Sequence, residues 1–149
     1  MQRSDSFDAL ATHVEGVKSE ARRYGRDIDV YTVGVVTCRA TKAEAEDYYR
    51  HCVIENADWS AVDSILAKRK VTPDAVGADE FARLRTHQAN GMGGLPIVGD
   101  PDFVAQQLAN LGKAGLRGAG VSFINYAEEL PFFCAEILPR LTRAGLREP

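Results

Sequence analysis

Three apolar, β-branched runs, each separated from the next by amphipathic helical sequence, constrain this chain more than any other feature. The first, "DIDVYTVGVVTC" at 27–38, is almost continuously apolar after Thr32. A strand of that kind is buried on both faces, as in a parallel sheet. "LPIV" at 95–98 and "LRGAGVSFI" at 116–124 read as two further strands. Gly34 inside the first run predicts close approach by another backbone or a ligand. Parallel neighbours need crossover connections, and helical patterns fill the intervals. Phe7, Leu10, Val14, Val17 and Ala21 share one helical face, with Ser4, Asp5 or Ser6 available as a cap and Gly25 as a stop. "TKAE" at 41–44 fits a reciprocal capping box. Trp59, Val62, Ile65 and Leu66 mark a further helix, "GADEFARLRTHQAN" another, and the last helix carries Pro139 as a kink. The expectation is an α/β fold whose parallel strands lie side by side in chain order, with helices on one face.

The 149 residues correspond to one domain, 1–149. A formal charge of −3 gives no bulk electrostatic case for nucleic acid or an anionic membrane. Three widely spaced cysteines, Cys38, Cys52 and Cys134, lack any zinc-ligand spacing, so no metal site is expected. The N-terminal stretch has no apolar core like that of a signal peptide, and a cytoplasmic location is the expectation.

The turn "GDPD" at 99–102 sits between a strand and a helix, where many proteins hold phosphate. Asp100 occupies the N-cap position and Pro101 the first helical position, both favoured for helix initiation. Two carboxylates in one turn repel a phosphate dianion by about 1–4 kcal/mol at an effective dielectric near 20. No nearby Lys or Arg is expected to offset this repulsion, the next cation downstream being Lys113. The turn therefore reads as a self-capped helix start.

"LPIVGDPDFVAQQLANLGKAGLRGAGVSF", followed by "INYAEELPFFCAEILPRLTRAGLR", resembles the C-terminal end of bacterial luciferase-like flavin-dependent monooxygenases. The pattern is nearest to alkanesulfonate and dimethylsulfone monooxygenase-type members. "VYTVGVVTCRATKAEAEDYY" is similar to the family's strand with its R-x-T-x-x-E-A helix entry. The resemblance covers nearly the whole chain, in order. It implies a TIM (β/α)8 barrel, of which this chain would be a C-terminal portion, about strands six to eight, from a truncated or split gene. It implies an FMN-dependent monooxygenase that oxidises a small organic substrate, organosulfur compounds included, with O2, the reduced FMN coming from a separate reductase. A deazaflavin-dependent oxidoreductase shares the pattern. Most FMN contacts in the family lie on the part not represented here, so binding by this chain alone is doubtful. The expected partner is a complementary N-terminal barrel portion or further copies of the chain. The alternative is a non-catalytic fragment or subunit that acts only when assembled. Aligning from Arg39, the positions where alkanesulfonate monooxygenases carry Arg and His hold Val33 and Val35, which disfavours a charged sulfonate substrate.

In such barrels the site lies at the carboxyl ends of the strands. That selects Thr37, Cys38 and Arg39, then Gly99 and Asp100, then Phe123, Asn125 and Tyr126. Cys38, Arg39, Met92, Asn125 and Tyr126 are the candidates to line flavin or substrate. Each has a plainer reading: Cys38 as a buried thiol, Arg39 as the partner of a helix carboxylate such as Glu44, Asn125 as a helix cap, and Tyr126 as a packing residue. The glycine-rich stretch 86–94 suggests a lid at the barrel mouth. Its His87 is a candidate for an acid, set against an exposed histidine with no role.

Overall fold

The computed structural model describes residues 4–148, leaving the side chains of residues 4–6 and of Met92 outside the described set. Helix α1 (Ser4–Arg23) leads to strand β1 (Tyr31–Cys38). The connection to β2 is long: α2 (Lys42–Tyr49), a π-helical turn (Arg50–Glu55), α3 (Trp59–Lys68), α4 (Pro73–Val76), α5 (Ala78–Ala89) and a 3-10 turn (Gly91–Gly93). Strand β2 (Leu95–Gly99), α6 (Pro101–Lys113), β3 (Gly118–Ser122), α7 (Tyr126–Glu136) and α8 (Leu138–Arg143) complete it.

Local chemistry explains most boundaries. The caps expected at 4–6 fall outside the described side chains. Gly25 takes φ +68° and stops α1. Glu44 N–H donates to Thr41 Oγ1 at 3.3 Å and Thr41 N–H to Glu44 Oε2 at 3.0 Å, closing the capping box. Asp58 Oδ1 accepts from Ala61 N–H at 2.9 Å to start α3. The single helix expected at the end is two, parting at Ile137; Pro139, in the first turn of α8, has no N–H to continue the ladder.

All three strands are parallel, but their order is β2-β1-β3. The expected chain order, with strands six, seven and eight as successive neighbours, is thereby corrected. The β1-to-β2 connection leads one way along the sheet and the β2-to-β3 connection leads back past β1.

Register separates the two faces. Val36 pairs with Ile97, and Cys38 with Gly99. These positions face the core, where Val36, Ile97, Val104, Leu111, Phe123, Phe133 and Ile137 cluster with Val14 of α1. Gly34 shares this face. A Cβ there would lie 3.1 Å from Ile97 Cδ1, so the close approach is made by a side chain. On the other face Val33 pairs with Gly120 and Tyr31 with Gly118. Tyr31 is 63% and Val33 56% exposed, whereas Val35 is buried beneath Gly91 and Gly94. Among the described residues, the outer edges of β2 and β3 have no strand partner.

Candidate functional site

The carboxyl ends of β1 and β3 adjoin where the strand order reverses, the position at which open parallel sheets form a ligand crevice. A polar network fills it. Arg39 Nη1 donates to the Cys38 carbonyl at 2.8 Å and to Glu129 Oε1 at 2.9 Å. Glu129 is 3% exposed, and its Oε2 accepts from Asn125 N–H at 2.6 Å. Asn125 Oδ1 in turn accepts from Ala127 N–H at 3.2 Å, capping α7. The Arg39 guanidinium lies 3.8 Å from the centre of the Tyr48 ring. Arg39 does meet a helix carboxylate, but that of Glu129, while Glu44 is engaged in its capping box. Burial and a hydrogen bond to Cys52 hold the Tyr48 phenol above its usual range.

Glu129 is not legible in the sequence as a site residue. An acid in the first turn of a helix reads as a dipole partner, and no local signal marks its burial. Cys38 belongs to the core cluster. Burial, helped by the Asp100 carboxylate and opposed by Arg39 and Arg140, pushes its thiol up to about 12. It is therefore protonated at neutral pH and packs as a small apolar group. Tyr126 is 54% exposed and sets the edge of its ring against Phe123 at 5.4 Å.

The turn before α6 behaves as its sequence suggests. Asp100 Oδ1 accepts from Phe103 N–H at 2.9 Å, and a Cβ on Gly99 would lie 2.5 Å from Phe103 Cδ1. One expectation needs correcting, because a cation is present. Arg140 of α8 reaches Asp102 at 2.6 Å and Glu136 at 2.9 Å, and the first of these pairings spans 38 residues that carry no local sign of it. All three helices that follow strands, α2, α6 and α7, are capped by their own Thr41, Asp100 and Asn125 side chains, each accepting one N-terminal N–H. These residues do not fit an FMN phosphate. Replacing Asp100 with alanine should lower stability by about 0.5–2 kcal/mol, the usual loss for an N-cap, with no gain in FMN affinity. Thermal melting and flavin-fluorescence titration check both halves, and tighter FMN binding by the variant would reveal a phosphate site.

The stretch 86–94 is not a long loop. Residues 86–89 complete α5, and Gly91, at φ +60°, and Gly93, at φ +92°, turn the chain into β2. A segment that precedes a strand delivers the chain to that strand's amino end, opposite the mouth of a barrel. His87 accordingly lies beside Thr32, Val33 and Leu95, at the starts of β1 and β2, with its ring against Gly93. It does not join Arg39 and Asn125. Met92 lies in the 3-10 turn, and its side chain is outside the described residues. Among the described residues no group of three or more His, Cys, Asp or Glu side chains is placed to hold a metal ion, and no helix is long and apolar enough to cross a membrane.

No protein-family model matches the sequence. The structure is similar to that of DmoA from Hyphomicrobium sulfonivorans, with a TM-score of 0.75 at 16% identity over 96% of this chain and 36% of that one. The fold is shared with that larger chain over this span. The same architecture recurs in riboflavin lyase RcaE, solved with a modified FMN and riboflavin, at a TM-score of 0.75 and 20% identity over 95% of this chain and 38% of that one. In sequence the chain is 23% identical over 158 residues to sulfoquinovose monooxygenase from Agrobacterium fabrum, covering 95% of this chain. It spans 40% of that relative's length.

Proposed function

We propose that this chain is the C-terminal part of a luciferase-like flavin-dependent monooxygenase that oxidises a small organic substrate with O2 after a complementary polypeptide supplies the remaining strands. The observation that carries this reading is the half-bare sheet face. Tyr31 and Val33 are 63% and 56% exposed on it, beside Gly118 and Gly120. Large apolar side chains on the central strand of a sheet whose two outer edges are open call for a covering layer. A barrel consistent with the sheet order takes β1 and β3 as adjacent barrel strands, with β2 on the far side of β1. Val33 and Val35 then form an apolar wall that neither donates a proton nor pairs with a sulfonate, which favours a small substrate of low charge. Reduced FMN, when bound, supplies the electrons for oxygen activation. Its phosphate contacts fall to the complementary chain, since the helix N-termini here are capped.

The test compares the chain alone with the assembly isolated from its own cells. FMN should accompany the assembly and fail to bind the lone chain at micromolar concentration, as read by flavin fluorescence. Val33→Asp should leave the lone chain's stability within about 0.5 kcal/mol, as for a surface position, and abolish the FMN-bearing assembly. Micromolar FMN binding by the lone chain, or an FMN-bearing assembly that survives Val33→Asp, would overturn the reading.

A further inference from the structure

We infer that the groove between α6, β3 and α8 is a binding site for an amphiphilic anion, a medium-length aliphatic carboxylate, whose tail enters the groove and whose head meets Arg117 and Arg147. The groove encloses about 380 Å³, within the range of about 300–1,000 Å³ typical of small-ligand sites. Its walls are apolar, formed by Leu108 and Leu111 of α6, Phe133 of α7, and Leu138 and Leu141 of α8. Ala119 and Val121 of β3 also line it. Arg117 and Gly118 of its lining lie at the amino end of β3, the end opposite Arg39 and Asn125.

The chemistry of the rim selects the ligand. Arg117 and Arg147 are exposed, and neither side chain has a hydrogen bond or ion pair among the described residues. Most other described arginines of the chain are paired: Arg22, Arg23, Arg50, Arg83, Arg85 and Arg140 each hold a carboxylate. No carboxylate lines the groove, so the two free guanidinium groups stand over an apolar cavity in a chain whose formal charge is −3. Leu146, beside Arg147, is 48% exposed at the same opening and would be covered by the ligand's upper carbons. An apolar slot with cations confined to its mouth matches an anion with an aliphatic tail, and matches neither a neutral polar molecule nor a cationic amphiphile.

The inference is independent of flavin binding, and its test uses none. Decanoate, decanol and decyltrimethylammonium are titrated into the chain while backbone amide NMR shifts are followed. Decanoate should bind saturably and shift Gly112, Ala119 and Leu146. Arg117→Gln with Arg147→Gln should weaken decanoate about fivefold to tenfold, the effect of losing two rim charges at the value of exposed ion pairs, and leave decanol unchanged. Both positions are exposed, and the unshifted spectrum of the variant reports its fold. Equal decanoate affinity in the double variant, shifts centred on Val33 and Gly120, or no saturable binding below the micelle concentration would each overturn the inference. So would equal affinity for decyltrimethylammonium.

Discussion

Replacing Arg39 with alanine is expected to cost about 3–5 kcal/mol, the range for removing one partner of a buried ion pair. Glu129, at 3% exposure, would be left buried without a counterion, while Arg39 itself is 25% exposed. The carboxylate is thus the group that suffers. It would retain the Asn125 N–H, a single neutral donor where a guanidinium had also stood. The Cys38 carbonyl would be deprived of its guanidinium donor and the Tyr48 ring of its stacked cation. Arg39→Lys should recover only part of the stability, because an ammonium is a compact point charge without the planar spread that covers Tyr48. Urea unfolding measures the change through the midpoint at constant slope. A loss under about 1 kcal/mol, the size of a solvated surface pair, would mean that water reaches Glu129.

Ile97→Ala should cost about 2–5 kcal/mol, as for other large-to-small changes in a closed core. Ile97 is fully buried at the middle of β2 and lies across Gly34 of the central strand. The missing glycine side chain is what lets the isoleucine lie flat there. Adding Gly34→Ala to Ile97→Ala should therefore return part of the stability, by placing a methyl in the vacated space. Alone, Gly34→Ala should destabilise, since its Cβ would stand 3.1 Å from Ile97 Cδ1. Thermal melts of the four proteins complete the cycle. Additive effects would show that the two residues do not share the space.

What can be read from the residues is what is local. Thr41 with Glu44, Asp100 ahead of Pro101, and Asn125 ahead of α7 are caps whose partners lie within four positions, and all three form. The three strands and their parallel sense follow from apolar runs with helices between them. Strand order does not, because an apolar pattern marks a strand as buried without naming its neighbour. Residues 86–89 fall both in the helical pattern 77–90 and in the glycine-bearing stretch 86–94, and the helical reading is the one that holds: the glycines merely end the last turn. The pairs Arg39–Glu129 and Arg140–Asp102 join residues 90 and 38 positions apart, and nothing near either arginine identifies its carboxylate. The site at the carboxyl ends is therefore visible as a place and hidden as a network.

The central position of β1 carries a consequence for how the chain acquires its fold. The strand made first must wait for both neighbours. Its first partner, Leu95 against Gly34, lies 61 residues on, and its second, Gly118 against Tyr31, lies 87 residues on. Contacts this distant raise contact order and slow folding, because a long loop must close before any pairing repays it. During synthesis at about 5–20 residues per second, β1 spends several seconds outside the ribosome with both edges open. Over that interval the nascent chain displays an aggregation-prone valine-rich segment, so its yield in a cell depends on what shields that segment until the last strand arrives.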